Sequence, residues 1–237
     1  MIPWLGRDRP NQPLTPFPPL STALRDPNGL LCAGGGLSVE RLLAAYRRGI
    51  FPWFSAGEPL LWWSPDPRMV LFPAEFKPSR SLRRELKKPY RIRLDHDFSA
   101  VIHACAHTPR RDQNGTWIVD KMKQAYLRLH ERGWAHSVEV WEEDAATQTL
   151  IGGLYGVAIG RMFFGESMFT RKSNASKIAI AHLIRYLETH EFGMIDCQMH
   201  TPHLASLGAR EIPRDEFIAR LETLCAAPVM PGLWRDE

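Results

Sequence analysis

The chain has no run of about 18 consecutive apolar residues, which excludes a helix long enough to span a membrane. Cysteine is scarce. Cys32, Cys105, Cys197 and Cys225 lie far apart and form no C-x-x-C pair, so neither a disulfide framework nor a zinc cluster is expected, and they read as small buried hydrophobes. The opening residues, MIPWLGRDRPNQPLTPFPPL, carry prolines and charges where a secretory signal needs an apolar core, and a cytoplasmic protein is the expectation. Charge of one sign is also in short supply. Lys and Arg total 30 against 26 Asp and Glu, a net of +4, too little to require a nucleic-acid partner and enough to allow one. What is present is ordinary for a globular protein: 44% hydrophobic and 24% charged residues over 237 positions, with room for a small domain and a larger one.

The most informative stretch is Leu150 to Phe169, LIGGLYGVAIGRMFFGESMF. Two apolar, aromatic-rich runs flank Gly160-Arg161, the pattern of a β-hairpin, and Gly152, Gly153, Gly156 and Gly165 leave room on the strand surface for another backbone or a ligand. One carboxylate, Glu166, interrupts the run. Among Phe163, Phe164, Met168 and Phe169 it is costly to desolvate without a partner. An internal ion pair to Arg171, a helix cap and a ligand all remain open.

Along the rest of the chain, residues 1 to about 20 read as an extended proline-rich tail. Ser38 opens a helix with Leu42, Leu43 and Tyr46 on its apolar face, ending at Gly49. Trp53, Trp62 and Trp63, three of the eight tryptophans, follow among prolines; they suit a small core or a stacking platform for a base. Strands are predicted at 69–72, 90–94, 136–141 and 194–199, and helices at 79–88, 97–107, 120–132, after Ser173 or Asn174, after Thr201 and at 215–224. Alternation along Met194 to Met199 puts Asp196 and Gln198 on one face and Ile195, Cys197 and Met199 on the other. The order of elements argues for a mixed α/β sheet with helices packed on it. Arg80, Arg83, Arg84, Lys87, Lys88, Arg91 and Arg93 form a basic cluster, readable as a solvated face or a phosphate contact. His103 and His107 are spaced i, i+4, but no third ligand is evident nearby, and no metal is expected.

Six blocks carry a resemblance: RGIFPWF (48–54), LWWSPDPR (61–68), GTWI (115–118), FGESMF (164–169), IDCQ (195–198) and ASLGA (205–209). Together, and in this order, they resemble the leucyl/phenylalanyl-tRNA-protein transferase family over residues 25 to 215. The resemblance implies a small N-terminal domain over 1–64 and, over 65–237, an α+β domain with the fold of the GCN5-related N-acetyltransferases. It implies transfer of Leu or Phe, with Met as a third candidate donor, from aminoacyl-tRNA to proteins beginning with Lys or Arg. That modification marks proteins for degradation in the N-degron pathway. No cofactor is implied, and the protein is expected to be a monomer. Asp196 and Gln198 correspond to a catalytic relay in which the acid polarises the amide, and Leu154, Phe163, Met168 and Leu183 to the donor pocket. Trp53 and Trp117 would surround the terminal adenosine, and Glu166 would face the cationic acceptor residue. Strict alternation puts Phe163 and Met168 on opposite faces, so both can line one pocket only if the strand is bulged between them.

Attack of an α-amine on an aminoacyl ester needs little acid-base help, because an amine of pKa about 7.7 to 8.0 is partly neutral at cellular pH. Two rivals make different demands. An acyl-CoA-dependent acetyltransferase needs a glycine-rich turn for the pyrophosphate, and Thr170 to Lys177, TRKSNASK, has no glycine. An RNA-binding module without catalysis would have no use for Asp196, Gln198 and Glu166. A serine hydrolase is disfavoured too, since GESMF lacks the second glycine of a nucleophile elbow.

Overall fold

The computed structural model describes residues 2–9, 11–108, 117–143, 147–228 and 232–235. Gly115 and Thr116 of the GTWI block and the Arg110-Arg111 pair lie outside these residues.

The first sheet is built from β1 (Trp4–Leu5), β2 (Leu30–Gly34), β3 (Phe51–Pro52) and β4 (Leu61–Trp63), in the order β1-β2-β4-β3. Between β2 and β3 runs α1 (Val39–Tyr46), whose first turn is closed by Ser38 Oγ accepting from the Arg41 amide at 3.1 Å. The proline-rich tail is tied down. Buried Arg41 bonds to the Asp8 carboxylate and the Thr15 carbonyl, and Phe17 meets Trp62 edge-on with centroids 4.9 Å apart. Trp62 and Trp63 are core, whereas Trp53 stays half-buried.

The second sheet contains β5 (Arg68–Leu71), β6 (Arg91–Leu94), β7 (Ala135–Glu143), β8 (Gln148–Ile159), β9 (Met162–Thr170), β10 (Met194–Gln198) and β11 (Arg210–Ile212), in the order β11-β5-β10-β9-β8-β7-β6. Every neighbouring pair is antiparallel except β9 and β10, which are parallel and joined through α5 (Ala175–Thr189). One face packs on α5, burying Leu154, Phe163, Ile180, Leu183 and Ile195 together. The other packs on α3 (Phe98–His107), α4 (Asp120–Glu131) and α1, around Tyr46, Tyr126, Tyr155 and Phe164. The remaining helices are α2 (Arg80–Glu85), α6 (Pro202–Ser206) and α7 (Arg214–Cys225). The fold is the mixed α/β sheet with packed helices that the order of elements predicts.

Local differences have physical causes. The basic helix is shorter than its sequence suggests, because Leu82 is the one residue it buries and little tertiary packing extends it. Asn174 precedes α5 in a left-handed conformation, φ +68°, rather than the extended one that capping residues adopt, and no side-chain cap forms. Of the hairpin glycines, Gly152, Gly153 and Gly156 receive the protein's own groups, whereas Gly165 lines a cavity. A Cβ at Gly156 would stand 2.5 Å from Phe163 Cζ, and one at Gly152 would stand 2.4 Å from the Ala175 Cβ of α5. His107 Nδ1 meets the His103 carbonyl at 2.8 Å and the two rings pack together, which accounts for that pair structurally.

Candidate functional site

β9 and β10 pair only at Met162–Met194, Phe163–Ile195 and Phe164–Asp196. Beyond that point both strands lose regularity. On β9 the register against β8 shifts between Gly156–Gly165 and Tyr155–Ser167, which leaves Glu166 as the extra, bulged residue. On β10 the register against β5 shifts between Asp196 and Gln198, and Gln198 adopts φ +58°. The strands part, and a cavity of about 340 Å³ opens between them.

This cavity takes walls from both faces of the sheet. Leu154, Phe163, Met168, Ile180, Leu183 and Ile195 form an apolar chamber on the α5 side, and Phe51, Trp53, Trp117, Tyr155 and Glu166 line the other. The bulge brings Phe163 and Met168 into one wall, the condition that their odd spacing requires. Eight of the nine residues singled out from the sequence, all but Asp196, line the cavity. The Trp63 indole donates to the Trp53 carbonyl at 2.7 Å, and the rings meet edge-on at 5.4 Å, so Trp53 is held against the small sheet. Cys197 also lines the cavity; burial pushes its thiol far above the ordinary range, which makes it a poor nucleophile.

Glu166 meets neither Arg171, which bonds to the Leu150 carbonyl, nor a helix terminus. Its partners are two phenols. Tyr46, on the last turn of α1, donates to Oε1 at 2.7 Å, and Tyr126 of α4 donates to Oε2 at 2.6 Å. The two hydroxyls are themselves 2.7 Å apart. Two phenolic hydrogens cannot serve three short O···O contacts, and protonation of the acid would supply the third hydrogen. The Glu166 carboxyl is raised from 4.5 to about 7, chiefly by burial and against the opposing tyrosine hydrogen bonds. Both phenols are pushed well above their usual value, first by burial and then by the Glu166 charge, so they remain hydrogen-bond donors.

Asp196 is fully buried and is not part of the cavity wall. Arg68 Nε and Nη2 reach its two oxygens at 2.8 and 2.7 Å, a bidentate pair. The guanidinium, also buried, lies between the Phe51 and Phe217 rings at 4.9 and 4.6 Å. Asp196 Oδ1 also accepts the backbone N–H of Gln198 at 2.9 Å. The acid therefore engages the backbone of Gln198, whereas the side-chain Nε2 has no partner among the described residues. That differs from a relay through the amide side chain. The expected alternation also fails, because the register shift brings Ile195, Cys197 and Gln198 together on the cavity.

Sequence reasoning missed Arg68, Tyr46 and Tyr126. Arg68 closes the LWWSPDPR block and was legible there as a cation. Tyr46 and Tyr126 fall on helix faces that read as core, and nothing local reveals their hydroxyl partner. Of the basic cluster, Arg80, Arg83, Arg84 and Lys87 are exposed and make no ion pair among the described residues, whereas Lys88 pairs with Glu85 at 2.9 Å.

The family described as leucyl/phenylalanyl-tRNA protein transferase matches residues 70–222, and that family's N-terminal domain matches residues 35–66. A leucyl/phenylalanyl-tRNA–protein transferase of Nitrosospira multiformis is 63% identical over 94% of this chain and 92% of its own. One from Nitrosomonas europaea is 62% identical over 93% of this chain and 92% of its own. One from Azoarcus sp. is 57% identical over 99% of this chain and 95% of its own.

Proposed function

The chain belongs to the leucyl/phenylalanyl-tRNA protein transferase family and is an aminoacyltransferase, and we propose that the cavity between β9 and β10 is where it transfers Leu or Phe. The observation that carries this reading is the two-sided lining: an apolar chamber on one face and an acid among phenols and tryptophans on the other. An apolar donor side chain fits the first. The terminal adenosine stacks between Trp53 and Trp117, and the cationic side chain of an acceptor's first residue lies toward Glu166.

The acceptor's neutral α-amine attacks the ester carbonyl carbon, and the ester C–O bond to the ribose breaks as the amide forms. The proton lost from the amine ends on the ribose hydroxyl. Gln198 offers its side-chain amide to the amine and the tetrahedral centre. Arg68 and Asp196 act behind it, holding the Gln198 backbone in its left-handed turn. A carboxylate carrying three hydrogen bonds of its own is a positioning group here rather than a base. Glu166 retains lone pairs for a cation beyond those bonded to the phenols.

The acyl-CoA alternative finds no support at the turn before α5. The amides of Arg171 and Lys172 both donate to the Ile151 carbonyl, at 2.8 and 3.2 Å, and are not free to cradle a pyrophosphate. We further propose a cytoplasmic monomer with a boundary between residues 64 and 65, acting in N-degron marking, with Met as a third donor. Among the described residues no helix is long and apolar enough to cross a membrane.

The test is incubation with Leu-charged tRNA and a peptide beginning with Arg. The expected products are the Leu-extended peptide and free tRNA; tRNA binding without transfer would favour a binding module. Calorimetry with acetyl-CoA should give no measurable heat, and micromolar affinity would favour the acetyltransferase.

A further inference from the structure

A second cavity, of about 390 Å³, lies on the α5 face of the sheet and is lined by Trp134, His136, Tyr186, Phe192 and Trp234. Phe163 stands between it and the apolar chamber: it lines the first cavity and packs on Trp234, with ring centroids 5.7 Å apart. Trp234 comes from the segment after α7 and is firmly seated. Its indole stacks on His136 at 4.1 Å with planes 4° apart and packs on Tyr186 at 4.4 Å. Its backbone N–H donates to Asp95 Oδ2 at 2.8 Å, an acid that also accepts from the Ser137 amide and pairs with His136 Nδ1. Two residues earlier the Gly232 amide donates to the Gly133 carbonyl at 3.1 Å.

The Phe163 ring also rests on the bare backbone of Gly156, where a Cβ would stand 2.5 Å away, and Gly156 is the register partner of His136, on which Trp234 stacks. The ring therefore has Gly156 of β8 and Trp234 as neighbouring supports. We propose that Trp234 is a positioning residue which, by fixing the Phe163 ring, sets the depth of the apolar chamber and hence which side chain is transferred. This rests on the reading of that chamber as the donor's. With Trp234 removed, Phe163 can swing toward the second cavity, and the deepened chamber accepts larger aromatic donors.

The experiment compares wild type with Trp234→Ala, Trp234→Leu and Trp234→Phe, using Leu-, Phe- and Trp-charged tRNA and one Lys-starting peptide. Wild-type transfer of Leu or Phe is measured first; its absence overturns the reading of the chamber and the proposal with it. Given that transfer, the Phe-to-Leu ratio of kcat/KM should rise by about tenfold in Trp234→Ala, less in Trp234→Leu and least in Trp234→Phe. The donor KM should carry most of the change, transfer of Trp should become detectable, and the Lys-to-norleucine acceptor ratio should stay as in wild type. Ratios within about twofold of wild type in variants that melt cooperatively would overturn the proposal, as would an equal loss for every donor. If Trp234→Ala does not fold, the Leu and Phe variants decide by the same criterion.

Discussion

Two acids stand on neighbouring strands where the large sheet parts, and they are managed in opposite ways. Asp196 on β10 is fully buried against a guanidinium that reaches both its oxygens. Glu166 on β9 has one edge on the cavity and is met by two neutral phenols. Opposite charge fixes the first as part of the framework. Neutral hydroxyls supply no opposite charge to the second, and burial raises its carboxyl to about 7. A third acid, Glu139, marks the structural extreme: buried, it accepts from the Asp97 amide, Ser137 Oγ and the Trp141 indole, and it lines neither of the two cavities described above. Burial of a carboxylate thus says little until its donors are known.

The contrast is broken most severely at Arg68. Arg68→Met leaves Asp196 buried without a counter-charge and should cost about 3 to 5 kcal/mol in urea denaturation. Adding Asp196→Leu should recover much of that loss in stability while transfer stays abolished. Full recovery of transfer in the double variant would remove Asp196 from the positioning role.

Next in size is the pH dependence of stability. The folded pKa of Glu166 is raised, so its favourable contribution is present below about 4.5 and is lost as pH rises through about 7. Wild type should therefore lose up to about 3 kcal/mol relative to Glu166→Gln between pH 4.5 and 8, read as the pH slope of the stability difference. A flat difference would mean that the two phenols offset the whole cost of burying the Glu166 charge.

Acceptor choice sharpens the same point. Peptides beginning with Lys should be preferred over those beginning with norleucine by about ten- to a hundred-fold in wild type, and most of that should vanish in Glu166→Gln with donor selectivity intact. In wild type the preference should weaken as pH falls below about 7, where Glu166 gains its proton. An unchanged ratio in a folded variant would return Glu166 to the structural class of Glu139.

The smallest effect belongs to the phenols. Tyr126→Phe or Tyr46→Phe removes one donor to the ionised acid, worth about 1 kcal/mol, and should move the pH midpoint of acceptor preference upward. A midpoint that moves downward would mean that the hydroxyl favours the protonated acid.

Much of this was legible beforehand. The hairpin, its turn at Gly160-Arg161 and the strand through Asp196 follow from local periodicity, and the structure has each of them; Leu154, Phe163, Met168 and Leu183 come from the family resemblance, and they line one cavity. Even the bulge was readable as a condition, since Phe163 and Met168 share a wall only if one residue is extra. Its position at Glu166 was not readable, because register is settled by pairing with β8 rather than along β9.

The sequence by itself determined most of the elements and the family, because those rest on local patterns and on blocks that stand in order along the chain. The tertiary structure alone decided what each acid meets. Tyr46 lies 120 residues from Glu166, Tyr126 lies 40 away, and Arg68 lies 128 from Asp196. Spacing along the chain carries no information at such separations. Desolvation and hydrogen bonding take effect only once α1, α4 and β5 have packed onto the sheet, so the raised pKa of Glu166 and the partners of both carboxylates are properties of the assembled fold.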